Sequence, residues 1–268
     1  MTNDGSTRPR TLKTVATASE VIDGLVELDG AGVTELADYI GISKSTAYTY
    51  LKTLEQQELV ISEDQTYRLS YAFLLLGEYV RNGSLLYQAG RQPVDDLAEA
   101  LGGYAHLVVE ENGRGITIHE ARGEETVAYE YQTTKPERRD PLHVTASGKA
   151  ILASLPDRRV EEIVDRHGLE AWTERTITGR EALFEELKTV RERGFARNDE
   201  EEVAGFRAVA APVRTGNGAV LGSVSVSGPT NVLDDEAFST ELPERVSDTA
   251  NSIEVSINMM RKQTDIRR

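Results

Sequence analysis

The sequence predicts an α+β protein made of an N-terminal winged helix-turn-helix followed by a larger domain of helices on a mainly antiparallel sheet. Three observations lead to this prediction. Residues 34–56 contain two short helical patterns joined by a tight turn at Gly41. From residue 104 the apolar residues change to a period of two, which is typical of strands. The length of 268 residues suffices for two domains, one near 70 and one near 180 residues.

The N-terminal part begins with an amphipathic helix over residues 14–29, in which apolar side chains recur at helical spacing. A short second helix follows, and we expect Thr34 to be its N-cap. After Gly41, Ser43 is the expected cap of a third helix. The third helix should bury one face and expose a polar one. The buried face is formed by Ala47, Leu51 and Leu54.

A hairpin follows the third helix, because two runs with apolar residues flank a polar turn at residues 63–65. Cap, turn, helix and hairpin in this order are typical of modules that place one helix in the major groove of DNA. We therefore predict double-stranded DNA as a partner; a module that binds another protein is the alternative. The predicted contacts are Arg8, Arg10, Lys13, Ser43, Lys44, Ser45, Thr46, Tyr48, Thr49 and Lys52.

The net charge of −15 opposes this prediction, since DNA-binding proteins usually carry a basic excess. Residues 1–70 alone hold six basic and eleven acidic side chains, a net charge of −5. The arm at residues 8–13 and the segment 41–54 nevertheless contain basic residues and no acid. The acidity elsewhere serves solubility, either in general or in a halophile, where a carboxylate-rich surface keeps proteins dissolved in concentrated salt. We favour the halophilic origin.

Composition also excludes several classes of protein. No run of 18 apolar residues occurs and the first residues do not resemble a signal peptide, so we expect a cytoplasmic protein without membrane contact. The chain has no cysteine, and its four histidines lack metal-ligand spacing, so we expect no metal and no other cofactor. No nucleophile elbow or pair of carboxylates in an apolar setting indicates an enzyme.

The domain boundaries follow from these patterns. We assign residues 1–70 to the DNA-binding domain with its basic arm, 71–83 to a linker helix, and 84–268 to the second domain. In the second domain Thr178 is expected to open a helix through a capping box, and Gly216 to Gly218 to form a hairpin turn. The expected helices are 84–101, 147–155, 157–167, 178–193 and 234–262, and the expected strands are 104–112, 115–122, 126–132, 208–214 and 220–228.

Two features of the second domain are candidates for a binding site. Residues 142–149 end in a helix start of small side chains, whose free backbone N–H groups can bind a carboxylate; an ordinary capped helix is the alternative. Ser223, Ser225 and Ser227 alternate with valines and therefore share one face of a strand. That face is either solvated or the wall of a pocket.

Two other features have simpler explanations. His143 near Ser147 fits an acyl hydrolase in which the N-terminal module serves only assembly, but a histidine of the core or of a strand end is the simpler explanation. The acidic run 199–202 fits a cation site, although a solvated loop is the simpler explanation. A protein-interaction scaffold is a third possible function.

Three segments, in the same order along the chain, resemble the IclR family of transcription regulators. GISKSTAYTYLKTLEQQELV with YRLSYAFLLLG resembles the winged helix-turn-helix of that family. HVTASGKAILA resembles its small-residue helix start, and GFARNDEEEVAGFRAVAAPV with GSVSVSGP resembles its C-terminal signature. The resemblance extends from about Arg10 to Met260.

The resemblance implies a regulator without enzyme activity, which binds a palindromic operator as a homodimer or homotetramer assembled partly through the N-terminal domain and the linker helix. It also implies a C-terminal sensor domain related to GAF-type folds, which binds a small organic or sugar acid. Asn198 and Ala208 replace an acidic residue and a cysteine of a glyoxylate-sensing member, so the identity of the effector does not carry over. The implied pocket residues are Ala146, Ser147, Asn198, Ala208, Ser225 and Ser227.

Overall fold

The structure is a computed structural model that describes residues 11–123 and 139–266. The chain divides into two compact units, residues 1–80 and 81–268. Arg8 and Arg10 of the expected basic arm, and the strand expected at 126–132, lie outside the described residues. Over the described ranges, no helix is both long and apolar enough to cross a membrane.

The N-terminal unit contains the expected helices and hairpin. A small core forms where the first three helices pack on the hairpin, and it includes Leu25, Leu36, Leu51 and Tyr67. The expected buried face of the third helix is confirmed, since Ala47, Leu51 and Leu54 are all buried. The elements are α1 (Lys13–Glu27), α2 (Val33–Ile40), α3 (Lys44–Gln56), β1 (Val60–Glu63), β2 (Thr66–Leu69) and α4 (Ala72–Asn82).

The caps of α2 and α3 differ from one another. Ser43 caps α3 as expected, because its hydroxyl oxygen accepts a hydrogen bond from the Thr46 N–H. The expected cap at Thr34 is wrong, since α2 already begins at Val33 and its N-cap is Gly32. The backbone of Ala31 pairs with Tyr67 in β2, and this pairing fixes where the chain enters the helix.

The second unit contains a six-stranded sheet in the order β5-β4-β3-β8-β7-β6, in which every pair of neighbours is antiparallel. The expectation of a mainly antiparallel sheet is therefore confirmed. The strands are β3 (Tyr104–Glu111), β4 (Arg114–Arg122), β5 (Arg139–Pro141), β6 (Ala196–Asp199), β7 (Phe206–Arg214) and β8 (Val220–Pro229). The helices are α5 (Leu85–Leu101), α6 (Ala146–Ser154), α7 (Asp157–His167), α8 (Arg180–Arg193) and α9 (Leu242–Ile266).

Helices cover both faces of this sheet. Val209, Val224 and Val226 lie in one buried cluster with residues of α5 and α9. Ala208 and Ala210 lie in a second cluster, with residues of α6, α7 and α8. The alternation of serine and valine in β8 thus follows from its position between two layers of helices, because successive side chains of a strand point to opposite faces.

Two details of this unit differ from expectation. The capping box at Thr178 is wrong, because Gly179 takes the N-cap position of α8 and no side chain caps that helix. The last helix is also divided, with a π-helical turn at Ala237–Glu241 preceding α9. The strands β5 and β6 were not expected from the sequence, since they span only three and four residues and show no clear alternation.

Candidate functional site

Helix α3 presents a polar face that the fold leaves exposed. Lys44, Ser45, Tyr48 and Thr49 are exposed, whereas the opposite face packs on the core of the unit. The hydroxyl of Ser43 lies 2.9 Å from that of Ser45 and 2.7 Å from that of Thr46, so the first turn is internally hydrogen-bonded. Lys44 forms no ion pair with any described residue, and its ammonium can contact a phosphate.

Lys52, unlike Lys44, has an ionic partner among the described residues of the N-terminal unit. Its ammonium forms an ion pair with Glu55, one turn further along α3. The carboxylate of Glu55 also accepts a hydrogen bond of 2.7 Å from Ser62 in β1. Among the predicted DNA contacts Lys52 is therefore partly neutralised, and the pair joins the end of α3 to the hairpin. Lys13, the first residue of α1, is exposed.

The start of α6 is the second candidate site, and here the helix is buried. Thr145 caps it by accepting a hydrogen bond of 2.9 Å from the Gly148 N–H. The N–H groups of Ala146 and Ser147 make no hydrogen bond with any described residue. A Cβ atom at Gly148 would lie 2.1 Å from the carbonyl oxygen of Leu142, so only glycine allows the preceding segment to pack this closely.

The serines of β8 face this helix start. The Ser147 hydroxyl donates a hydrogen bond of 2.8 Å to Ser225, and both side chains are buried. The hydroxyl hydrogen of Ser225 has no acceptor among the described residues. Ser223 is fully buried, and its hydroxyl also lacks a described partner. A solvated face, one of the two alternatives, is wrong for Ser223 and Ser225, because α6 covers them; Ser227 is partly exposed.

Asn198 and Ala208 lie beside Ser227 in neighbouring strands. The register pairs Asn198 with Ala208 and Ala208 with Ser227, which puts the three side chains in one row on the face that α6 covers. The Asn198 amide donates to the Val144 carbonyl at 2.6 Å and accepts from the Glu201 N–H at 2.9 Å. The structure thus brings the implied pocket residues together, with Asn198 joining the segment before α6 to the turn after β6.

A buried ion pair at this site was missed by the sequence analysis. The side chain of Lys149 is only 1% exposed, and its ammonium lies 2.5 and 2.7 Å from the carboxylate oxygens of Glu201. Glu186 is 3.5 Å away. Burial raises the pKa of the Glu201 carboxyl, and the neighbouring ammonium opposes that rise. The interpretation of residues 199–202 as a solvated loop is therefore wrong for Glu201. A lysine within a run of small and apolar residues was the available signal.

His143 and Ser147 do not form a catalytic pair. The His143 imidazole is 2.9 Å from the carbonyl oxygen of Glu170, whereas Ser147 bonds to Ser225. Burial lowers the pKa of His143, which favours the neutral imidazole. The hydrogen bond to Glu170 joins the loop after α7 to the segment before α6, and bonds from Thr173 and Thr176 to the Glu201 carbonyl join the same loop to the turn after β6.

Comparisons with known proteins match both units. Residues 14–63 match the family model of the IclR helix-turn-helix domain, and residues 79–255 match that of the bacterial transcriptional regulator IclR C-terminal domain. The chain is 39% identical over 250 residues to the probable HTH-type transcriptional regulator ArcR of Halobacterium salinarum, which covers 93% of this chain and 95% of that protein.

A second relative and a solved structure are also similar to this chain over most of its length. The HTH-type transcriptional regulator KdgR of Escherichia coli is 30% identical over 226 residues, covering 83% of this chain and 84% of that protein. The crystal structure of the Thermotoga maritima IclR superposes with a TM-score of 0.73 at 27% identity, covering 92% of this chain and 100% of the other.

Proposed function

The chain is a DNA-binding transcription regulator of the IclR family, not an enzyme, and we propose which of its residues contact DNA and which bind its effector. The family models together cover both units, and the relatives named above are all regulators. The hydrolase alternative has no support among them. Our assignment of domains is 1–70 for DNA binding, 71–83 for the linker helix and 84–268 for effector binding.

The DNA contacts are made by the exposed face of α3. The observation that carries this proposal is the division of α3 into a buried apolar face and an exposed polar face that begins at a hydroxyl cap. Lys44 supplies a phosphate contact, while Ser45, Tyr48 and Thr49 have donors and acceptors suited to base edges. The full proposed set is Arg8, Arg10, Lys13, Ser43, Lys44, Ser45, Thr46, Tyr48, Thr49 and Lys52.

Footprinting on the operator tests the α3 assignment. Lys44→Ala should weaken operator binding uniformly across sequences, since a lysine-phosphate contact carries no base preference. Lys188→Ala is the matched control, because it removes the same charge from an exposed position on α8 in the other unit. A footprint of Lys44→Ala at the wild-type protein concentration would refute the assignment.

The effector site lies at the start of α6, where Ala146, Ser147, Asn198, Ala208, Ser225 and Ser227 come together. Two unbonded helix N–H groups and the hydroxyl hydrogen of Ser225 offer donors to a carboxylate. These donors favour a small organic or sugar acid as the effector.

Effector binding is tested with the double substitution Ser225→Ala and Ser227→Ala. This variant should lose the response of operator binding to effector while retaining operator binding itself. The double variant Ser252→Ala and Ser256→Ala on α9 is the control, because it removes two serine hydroxyls from a helix that covers the opposite face of the sheet. A full effector response in the first variant excludes this pocket.

A homodimer or homotetramer on a palindromic operator completes the proposal. None of the residues of α4 is buried, and Leu74, Leu75, Tyr79 and Val80 are strongly exposed. An exposed apolar helix of this kind requires a covering partner, for which a second copy of the chain is the simplest choice. Two copies related by a two-fold axis read two half-sites of a palindrome.

We also propose that the protein acts in the cytoplasm of a halophilic archaeon. Cytoplasmic action follows from its role in transcription. The net charge of −15 and the 39% identity to a Halobacterium salinarum regulator support the halophilic origin.

A further inference from the structure

His106 and Glu120 extend the polar surface at the start of α6 beyond the residues assigned above. The register pairs His106 with Ser225 across β3 and β8, and with Glu120 across β3 and β4. Residues directly opposite in antiparallel strands project to the same face, with Cβ atoms about 5 Å apart. The imidazole of His106 therefore projects beside Ser225, on the face that α6 covers.

The cross-strand neighbours Ser225, His106 and Glu120 form a first row on this face. A second row, which includes Tyr104 and Ser227, lies beside it. The register pairs Tyr104 with Ser227 on one side and with Arg122 on the other. Ala208 and Ala210 continue the two rows in β7 with small side chains. Ala105, which lies between Tyr104 and His106, belongs to the opposite face, where it is buried with residues of α5 and α9. The face beside the start of α6 thus carries two rows with polar groups in β3, β4 and β8 and small alanines in β7.

The first row runs from a buried to an exposed position. Ser225 is buried, the His106 side chain is 17% exposed and that of Glu120 is 46% exposed. The imidazole Nε2 of His106 lies 3.6 Å from a carboxylate oxygen of Glu120. A molecule that reaches Ser225 from the exposed end of the row must therefore pass alongside the imidazole.

We propose that His106 is a specificity-determining residue of the effector site and selects a hydroxylated carboxylic acid. This inference rests on the effector site proposed above. The carboxylate of the ligand binds at the N–H groups of Ala146 and Ser147. Its hydroxyl groups lie along the row formed by Ser225, His106 and Glu120.

The chemistry of the row explains the preference for hydroxyl groups. The ring nitrogens of an imidazole can take part in hydrogen bonds, a carboxylate only accepts, and the Ser225 hydroxyl has a hydrogen to donate. A ligand hydroxyl can accept from Ser225 or His106 while it donates to Glu120. A methylene group in the same place would desolvate these polar groups without bonding to them, and sites built for hydroxyl groups reject such analogues strongly.

Two acids with six carbons, D-gluconate and hexanoate, test the proposal by isothermal titration calorimetry on the full chain in molar KCl. Gluconate should bind wild-type protein at least tenfold more tightly than hexanoate. His106→Phe should weaken gluconate binding at least tenfold and remove most of the preference. His106→Gln retains a donor and an acceptor and should recover most of the affinity. His167→Phe is the control, since His167 is the last residue of α7 and its imidazole is hydrogen-bonded to the backbone carbonyl of Asn112.

Three results would overturn the inference. The first is that His106→Phe binds gluconate as tightly as the wild-type protein does. The second is that hexanoate binds the wild-type protein as tightly as gluconate does, and the third is that the wild-type protein binds neither acid. The double substitution Ser225→Ala and Ser227→Ala separates this inference from the function on which it rests. If that variant loses gluconate binding while His106→Phe retains it, the effector site stands and only the role of His106 is wrong. If the serine variant retains gluconate binding, the site itself is wrong.

Discussion

Helices α3 and α6 begin with similar local sequences, SKSTA at residues 43–47 and TASGKA at residues 145–150. A side-chain hydroxyl caps each of them and accepts a hydrogen bond from the N–H three residues later. Their surroundings are opposite. The first turn of α3 is exposed, whereas the first eight residues of α6 are all buried. Lys44 has no ionic partner among the described residues, and Lys149 is enclosed with Glu201.

For the two proposed sites, this difference decides which anion each helix start can bind. Both starts have unbonded N–H groups and the positive end of a helix dipole. An exposed start is accessible to a long polymer, and the phosphates of DNA can approach it from solvent. A buried start is accessible only to a small molecule. Such a molecule loses its hydration water on entering and must form hydrogen bonds to the protein instead.

The largest difference between the helices should appear when their lysines are replaced. Lys149→Met leaves the Glu201 carboxylate buried without its partner, which should lower the free energy of unfolding by about 3–5 kcal/mol. Lys44→Met should change it by no more than about 0.5 kcal/mol, because Lys44 is exposed. Denaturant unfolding of both variants measures this. Trp172, the single tryptophan, reports on the C-terminal unit by fluorescence, and circular dichroism reports on the whole chain.

A further variant checks the cause of that loss. Lys149→Met combined with Glu201→Leu removes the orphaned charge and should recover a large part of the stability. If Lys149→Met unfolds at the wild-type denaturant concentration, the ion pair contributes nothing and the comparison with Lys44 fails.

Removing the cap of α6 should destabilise the protein more than removing the cap of α3. The difference should be smaller than the difference between the two lysine variants. Thr145→Ala removes the acceptor of a buried N–H, that of Gly148, which costs about 1–3 kcal/mol. Ser43→Ala exposes the Thr46 N–H to water instead, and the loss should stay near about 1 kcal/mol. The same unfolding experiments measure both, with amide hydrogen exchange at Gly148 and Thr46 as a local probe. Equal losses would show that burial of the helix start does not matter.

The two proposed sites should differ in how strongly their binding depends on salt concentration. Operator binding by α3 should weaken as KCl rises, with a shallow slope because few cations are present, and Lys44→Ala should reduce the slope by about 1. Effector binding at the buried start of α6 should depend less on salt, since buried charges are screened less. Filter binding and calorimetry across a KCl series test this. Loss of operator binding near roughly 0.2 M KCl, typical of phosphate-dominated binders, contradicts the halophilic origin.

The smallest effect concerns His143 beside α6. Burial lowers its pKa, so the folded state holds the neutral imidazole more strongly than the unfolded state does. The corresponding stability is present above the ordinary pKa of about 6.5 and is lost as the pH falls below that value and through the lower pKa of the folded state. Thermal unfolding at pH 7.5 and 5.5 should therefore differ less in His143→Gln than in wild type. His167→Gln should keep the wild-type difference; the same reduction in both variants would exclude a specific role for His143.

Much of this fold could be predicted because its signals are local. The Ser43 cap, the buried stripe of α3, the bounds of α7 and the alternation of β8 depend on residues a few positions apart. The errors at Thr34 and Thr178 are also local, since in both cases a neighbouring glycine takes the N-cap position. The family resemblance located the candidate pocket residues, but not the groups beside them in the sheet.

Sequence alone determined where α3 begins, which strand face holds the serines and which face of α3 is polar, because caps and periodicities act over one or two turns. Only the tertiary structure decided that one capped helix start is exposed and the other buried. Strand register places His106 beside Ser225, which is 119 positions later in the chain, and the packing of α6 encloses Lys149 with Glu201. Pairings between distant residues leave no periodicity in the sequence, since they arise only when the sheet and its covering helices assemble.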